Sequence, residues 1–278
     1  MAKYLLSAFA DEYDSDIDIQ IKMLRENNIE YFEPRFINEK NISDISKSDL
    51  YELKNKLDGI KISSIASPLG KINLKDDFAE HLEKTKRTCE AANILGTKNI
   101  RAFSFYLRPN TTKKDCRNEV IDKLGQMIEI AKSAGVFLCH ENEAEIYGES
   151  PDACLELLKE FDGNLKCVFD MGNFVLDGYN PVNSYNMLCE HIEYFHIKDA
   201  LYKGAVVPAG RGNGCIKEIL ETHMKKYQKD TIITLEPHLQ TFSGLNSLVG
   251  KSFDNPYKYE TQQQAFLDAL KCIREILN

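Results

Sequence analysis

Eight short runs rich in apolar, β-branched or aromatic residues alternate with amphipathic stretches along the chain. One strand and its crossover helix together take about 30 residues, which fits the spacing of these runs. The expected strands are Tyr4–Ala10, Tyr31–Arg35, Lys61–Ser67, Asn99–Phe105, Val136–Glu141, Lys166–Asp170, Ile192–Lys198 and Thr231–Glu236. Strands that alternate with helices form a parallel sheet, and eight such units close a (β/α)8 barrel. We therefore predict an α/β fold, a single TIM barrel domain over residues 1–278.

The stretches between the strands carry apolar residues at helical spacing. One such helix is expected to end before Asn27, another to end at Gly135, and a last one to start near Ala265 and finish the chain. A doubly wound open sheet is the alternative fold. It would more often carry a glycine-rich phosphate loop after its first strand, and residues 8–12 are not such a loop.

Composition narrows the function classes. A net charge of −8 and a pI near 5.4 disfavour a nucleic-acid partner, which usually needs a basic face. No run approaches the roughly 20 apolar residues of a membrane span. The first apolar run is too short for an export signal and is expected to be a buried strand. Because the eight cysteines are scattered with no C-x-x-C pair, we expect reduced thiols and a cytoplasmic protein.

Four consecutive strands are expected to end in Glu141, Asp170, His196 and Glu236, which lie 29, 26 and 40 residues apart. Parallel strands in a barrel bring their carboxyl ends to one face, where reactive groups lie. Each residue alone has an ordinary explanation, as a helix cap, a loop residue or a core histidine. Together, several carboxylates would repel one another unless a cation joined them. The sequence therefore predicts a divalent-metal site.

Three carboxylates and one imidazole favour a metal that prefers oxygen ligands. We expect one divalent ion, with Mn²⁺ the first choice and Mg²⁺, Co²⁺ or Zn²⁺ as alternatives.

The chain resembles the xylose isomerase-like TIM barrel superfamily of sugar and sugar-phosphate isomerases and epimerases. The resemblance spans essentially the whole chain and rests on four runs in family order. They are His-Glu-Asn-Glu with Glu141, Asp-Met-Gly-Asn with Asp170, His-Ile-Lys-Asp with His196, and Leu-Glu-Pro-His with Glu236. The resemblance implies that all four residues bind one divalent ion and that Glu141 and Glu236 form the acid/base pair.

Five further residues are candidates for contact with the substrate. Lys198 points the same way as His196 and is expected to reach either a substrate oxygen or a neighbouring acid. Arg35 follows strand two, where it either contacts substrate or pairs with an acid at the barrel mouth. Arg211 lies among glycines, where a ligand can come close to the backbone. Asn173 and His238 are expected to orient the ligand groups.

These residues predict a metal-dependent isomerase or epimerase that acts on a small keto-sugar or sugar phosphate through an enediolate, in carbohydrate metabolism. An inosose-type dehydratase using the same site is the alternative. Less favoured are an endonuclease IV-like hydrolase, which uses more histidines, and a barrel that binds sugar without turnover. We expect no nucleic-acid or membrane partner, and a homodimer is an open alternative to a monomer.

Overall fold

Seven parallel strands form one sheet in a computed structural model that describes residues 2–202, 204–240 and 257–278. The strands are β1 (Tyr4–Ala8), β6 (Ile65–Leu69), β7 (Asn99–Ala102), β8 (Phe137–Glu141), β9 (Leu165–Asp170), β10 (Ile192–Ile197) and β13 (Thr231–Leu235). Each strand pairs in parallel with its neighbours in the order β1-β13-β10-β9-β8-β7-β6.

Two short strands lie between the sheet's two edge strands, β1 and β6. The pair β2 (Tyr31–Phe32) and β5 (Lys61–Ile62) is parallel, and the Glu33 N–H just after β2 donates to the Ala8 carbonyl at 3.2 Å. β2 is short because Pro34 has no N–H to continue the ladder. The predicted TIM barrel is confirmed, while a single domain over residues 1–278 stays a prediction.

Helices cover the outside of the sheet and bury their apolar faces against it. In the described ranges they are α1 (Ile17–Glu26), α2 (Lys47–Leu57), α3 (Phe78–Leu95), α4 (Lys113–Ser133), α5 (Pro151–Glu160), α6 (Met171–Leu176), α7 (Pro181–Leu188), α8 (Ile216–Tyr227) and α9 (Gln262–Leu277). The expected ends before Asn27 and at Gly135 agree with α1 and α4. Over these same ranges, the helices are all too short or too polar to cross a membrane.

Some local structure differs from the sequence-based expectation. The run Lys61–Ser67, expected to be one strand, is divided into β5 and β6. Two hairpins also follow barrel strands. Their strands have only two or three residues, which is too few to show a hydrophobic period in the sequence. They are β3 (Phe36–Ile37) with β4 (Lys40–Asn41), and β11 (Asp199–Leu201) with β12 (Ala205–Val207). Single 3-10 turns lie at Ala10–Glu12, Ile42–Asp44 and Tyr147–Glu149.

Strand register brings the polar strand ends to one face of the barrel. Glu141 ends β8 and Asp170 ends β9, and His196 is directly opposite Asp170 in the β9–β10 pair. Glu236 follows β13, and its N–H donates to the Ile197 carbonyl at 3.1 Å. The carboxyl ends of four neighbouring strands therefore carry the four residues side by side.

Candidate metal centre

Glu141, Asp170, His196 and Glu236 each offer one donor atom to a buried cluster in which these atoms all lie within 4.8 Å of one another. The Nδ1 atom of His196 lies close to two of the carboxylates. It lies 2.7 Å from Glu141 Oε1 and 3.1 Å from Glu236 Oε2. The structure thus brings together all four residues that the sequence pattern selects.

The donor set fits a divalent cation. Glu236 Oε2 is fully buried and has no hydrogen-bond partner among the described residues, although His196 Nδ1 lies near it. A buried carboxylate oxygen without a hydrogen bond is uncommon, and a cation would satisfy it. Three carboxylates with one imidazole match the oxygen-rich ligand sets of Mg²⁺ and Mn²⁺.

Asp170 serves two neighbours at once. Its Oδ1 accepts the Asn173 N–H at 2.9 Å and so caps α6, whereas its Oδ2 accepts from Lys198 Nζ at 2.9 Å. Asn142 also holds the Asp170 backbone, accepting its N–H and donating to its carbonyl, each at 3.0 Å. The local helix cap therefore fixes the carboxylate with one oxygen turned towards the cluster.

Neighbouring cations keep the two glutamates ionised. Burial alone would raise the pKa of Glu141, but His196 and Arg101 lower that pKa to about 2. Burial would likewise raise the pKa of Glu236, yet Lys198 and the two histidines around it hold that pKa well below its usual value. Both carboxylates are therefore charged at neutral pH and available to a cation or a proton.

The pKa values of Asp170 and His196 are both raised, in contrast to those of the two glutamates. Burial raises the pKa of Asp170 to about 7, although the Lys198 ammonium opposes the shift. Burial would lower the pKa of His196, but Glu141 and Glu33 raise it well above its usual value. Without a metal, the cluster therefore balances its negative charge with protons and with Lys198.

Arg35 occupies a second group of possible metal ligands. Donor atoms of Glu12, Glu236 and His238 also lie within 4.8 Å of one another. The Arg35 guanidinium is completely buried and forms ion pairs at 3.1 Å with Glu12 and with Glu236, and at 2.9 Å with Asp11. Arg35 is thus paired with acids at the barrel mouth, and its contact with substrate stays a prediction.

Lys198 and Asn173 contact each other beside the cluster. Lys198 Nζ lies 3.0 Å from Asn173 Oδ1 and 3.5 Å from Glu236 Oε2. His238 Nε2 is 3.3 Å from Glu236 Oε1, and its backbone N–H donates to Glu12 Oε2 at 2.7 Å. All three residues are buried around the four donors.

Arg211 lies apart from the four buried donors. It is exposed, and its side chain interacts with Cys272 on α9. The neighbouring glycines serve Asp199, whose carboxylate accepts the N–H groups of Gly210 at 2.8 Å, Gly212 at 3.0 Å and Gly214 at 2.8 Å. A Cβ at Gly212 would overlap that carboxylate. Gly212 and Gly214 thus leave room for the Asp199 carboxylate, and the contact of Arg211 with substrate stays a prediction.

Several charged residues at the site are absent from the sequence-based set of candidates. They are Asp11, Glu12, Glu33 and Arg101, all buried. The first three follow β1 and β2, so the rule that selects polar residues at strand ends also applies to them. Arg101 lies within β7, and its Nη1 is 3.2 Å from Glu141 Oε2. No spacing signal distinguishes Arg101 from an ordinary strand residue.

Comparison with known proteins agrees with this architecture. Residues 21–271 match the family described as xylose isomerase-like TIM barrel. A curated relative, 3-dehydroshikimate dehydratase of Bacillus anthracis, is 26% identical over 155 residues. That match covers 55% of this chain and 54% of the relative, so the chain spans about half the length of the curated relative it matches.

Two solved structures share the fold at low identity. A xylose isomerase-like TIM barrel protein from Mycobacterium smegmatis, in complex with magnesium, is 14% identical, with a TM-score of 0.70 over 100% of this chain and 97% of that one. D-psicose 3-epimerase with D-tagatose from Clostridium cellulolyticum is also 14% identical, with a TM-score of 0.74 over 98% of this chain and 99% of that one. The family match covers most of the chain, and we conclude that this protein belongs to the xylose isomerase-like TIM barrel family.

Proposed function

We propose that the protein is a divalent-metal-dependent isomerase or epimerase that acts on a keto-sugar or sugar phosphate through an enediolate. The observation that carries this proposal is the pair Glu141 and Glu236, whose carboxylates approach His196 Nδ1 at 2.7 Å and 3.1 Å within one buried cluster. Two ionised carboxylates beside a cation site are the groups that proton transfer next to a carbonyl needs.

Glu141, Asp170, His196 and Glu236 would hold the ion, with Mn²⁺ the first choice. When bound, such an ion supplies Lewis-acid polarisation of the carbonyl and stabilises the charge that develops on the substrate oxygens. The resemblance of the donor set to oxygen-rich metal sites supports this assignment, and so does the magnesium in the Mycobacterium smegmatis structure.

The proton transfers are assigned to the two glutamates. One carboxylate removes the proton from the carbon next to the carbonyl and leaves the enediolate. If the other glutamate first takes up a proton from solvent and then donates it to the opposite face of the same carbon, the product is an epimer. If the proton returns to the neighbouring carbon, the product is the aldose or ketose isomer. Isomerisation returns the first carboxylate to its ionised state, and the hydroxyl proton of the substrate moves from one enediolate oxygen to the other. Epimerisation leaves the first glutamate protonated and the second ionised, so proton exchange with solvent restores the pair before the next turnover.

Two buried arginines stabilise the ionised forms of Glu141 and Glu236. Arg101 pairs with Glu141 at 3.2 Å, and Arg35 pairs with Glu236 at 3.1 Å. These guanidiniums favour the ionised carboxylates and limit their rotation. We assign Lys198, Asn173 and His238 to the substrate-facing layer around the ion, where they orient ligand groups. A cytoplasmic location and a small-molecule substrate complete the proposal.

Dehydration at the same site is the second candidate. It is favoured by the curated relative, which is a 3-dehydroshikimate dehydratase. A hydroxyl on the carbon adjacent to the enediolate would leave as water, taking the proton that the glutamate acquired in the first step, so the first proton transfer is unchanged. The two candidates therefore share the acid/base pair and differ in the step that follows.

Deuterium exchange tests the shared step. Chelator-treated protein is supplied with Mn²⁺, Mg²⁺, Co²⁺ or Zn²⁺ in D₂O and incubated with ketoses, ketose phosphates and 3-dehydroshikimate. We expect deuterium at the carbon next to the carbonyl of at least one substrate, and mass spectrometry then separates an isomer from a product that has lost water. If no compound gains deuterium or loses water with any of the four metals, the proposed function is wrong.

A further inference from the structure

The imidazole of His196 contacts carboxylates through both ring nitrogens. Nδ1 faces the cluster, whereas Nε2 points the other way, 3.3 Å from both oxygens of Glu33. The ring is also fixed by edge-on contacts with Phe9 and Tyr194, whose ring centroids lie 5.0 Å and 5.4 Å away. The Nδ1 edge of the imidazole therefore faces the proposed ion, and the Nε2 edge faces Glu33.

Glu33 is held in place by hydroxyl groups from two barrel strands. Tyr194 of β10 donates to Oε1 at 2.9 Å, and Thr234 of β13 donates to Oε2 at 2.6 Å. The side chain of Glu33 is completely buried. Because a hydroxyl is bound to each oxygen, the carboxylate has a fixed orientation towards His196 Nε2.

An ionised carboxylate can only accept hydrogen bonds, so its contact with Nε2 requires a proton on that nitrogen. The same rule places a proton on Nδ1 in the metal-free protein, because Glu141 Oε1 lies 2.7 Å from that nitrogen. An ion at the cluster would displace this proton to solvent and leave a neutral imidazole with its proton on Nε2 and its lone pair on Nδ1. That lone pair points towards Glu141 and Glu236, where the proposed ion would lie. Carboxylates that bind the outer nitrogen of a metal-ligating histidine commonly fix its tautomer and ring orientation in this way.

We propose that Glu33 is the positioning residue of the metal centre, which fixes His196 with Nε2 protonated and Nδ1 directed at the ion. This inference rests on the proposed function, since it assigns a role at the same site. It differs from that function in making a residue outside the four ligands responsible for the affinity of the centre.

Zinc affinity and histidine NMR test this role without an activity assay. Glu33→Gln replaces the charged acceptor by a neutral amide of the same shape. We expect zinc affinity, measured by competition with a chromogenic chelator, to fall by about 10- to 100-fold. In ¹⁵N-histidine-labelled, zinc-loaded parent protein, the spectrum should show the His196 proton on Nε2 and far downfield. In the variant this proton should move upfield, because an amide is a weaker acceptor.

A second variant covers the case in which Glu33→Gln does not fold. Thr234→Val keeps the volume and the Glu33 charge but removes one of the two hydroxyl groups that hold the carboxylate. It should weaken zinc binding by less than Glu33→Gln does. Lys22→Met on the exposed surface of α1 serves as the control and should bind zinc as the parent does.

Two results would overturn the inference alone. The first is parent-like zinc affinity in both Glu33→Gln and Thr234→Val, and the second is a zinc-loaded parent with the His196 proton on Nδ1. A parent protein that binds none of the divalent metals would instead refute the proposed function, and the inference would fall with it. The measurements thus separate the two failures.

Discussion

Lys198 Nζ lies 2.9 Å from Asp170 Oδ2, so a buried ammonium contacts the carboxylate that closes one side of the donor cluster. The same ammonium is 3.5 Å from Glu236 Oε2. Lys198 therefore compensates the charge of Asp170 and shares that of Glu236 with Arg35, which lies 3.1 Å from the other oxygen of Glu236. A divalent ion at the cluster would neutralise the same two acids, which links protein stability to metal binding.

Replacement of Lys198 should reveal that link. Lys198→Met keeps most of the side-chain volume but leaves Asp170 and Glu236 without their ammonium, and we expect the metal-free protein to lose about 3 kcal/mol of unfolding free energy. Saturating Mn²⁺ should reduce this loss, because the ion supplies positive charge to the same carboxylates. Urea unfolding with and without Mn²⁺ measures both values, and Lys22→Met is the control. An equal loss in both conditions would argue against a shared role.

The two glutamates are expected to be necessary for turnover. Glu141→Gln and Glu236→Gln each remove a group that exchanges a proton, and we expect kcat to fall by about 100- to 10,000-fold. Circular dichroism should show that each variant keeps the fold. Glu149→Gln, in the 3-10 turn beyond the end of β8, is the matched control and should retain activity. Near-parent turnover by either active-site variant would exclude the two-glutamate mechanism.

Asp199 should stabilise the glycine-rich loop. Its carboxylate accepts four backbone N–H groups, including that of Ala200 at 2.9 Å, and an amide in its place would turn donors towards donors. We expect Asp199→Asn to lower the unfolding free energy by about 1–3 kcal/mol. Asp122→Asn on the exposed face of α4 is the comparison. Equal urea midpoints for the two variants would show that the loop does not depend on the Asp199 carboxylate.

His81 should make stability depend on pH. Its buried Nε2 accepts the Gly70 N–H at 2.9 Å, and burial together with nearby lysines lowers the pKa of His81 from 6.5 to about 4. Since the folded-state pKa lies below the unfolded one, the stabilisation is complete above pH 6.5 and is lost as the pH falls towards 4.

A variant without a titrating ring isolates this effect. His81→Gln keeps an acceptor for Gly70 but cannot take up a proton. Between pH 7.5 and pH 5 we expect the parent to lose about 2 kcal/mol more unfolding free energy than the variant does. Urea titrations at the two pH values give the comparison, and parallel losses in both proteins would mean that His81 does not carry the pH dependence.

Periodicity and strand-end residues were sufficient to predict the barrel. Seven of the eight expected strands overlap strands of the seven-stranded sheet, and the eighth, Tyr31–Arg35, contains the short strand β2. The agreement arises because buried parallel strands give continuous apolar runs, as in Ile192–Ile197. Features that depend on a few residues were not predictable. The interruption between β5 and β6 and the hairpins after β2 and β10 follow from local hydrogen bonds rather than from a hydrophobic period.

At the site, sequence reasoning found the residues that end strands and missed those defined by packing. Glu141 and Asp170 follow directly from strand position. Arg101 does not, because its role depends on Glu141 being in the adjacent strand, 3.2 Å away. For Arg211 the sequence signal was present but had another cause. Glycines around a charged residue indicate that some group comes close to the backbone, and in this structure that group is the Asp199 carboxylate.

The central claim is that four strand ends form one divalent-metal site, and direct metal titration tests it. Chelator-treated parent protein and an Asp170→Ala/His196→Ala double variant are titrated with Mn²⁺ by calorimetry, with folding checked by circular dichroism. We predict one Mn²⁺ per parent chain and a loss of this binding in the double variant. A parent that binds no Mn²⁺, or a folded double variant that binds it as tightly as the parent, would contradict the account.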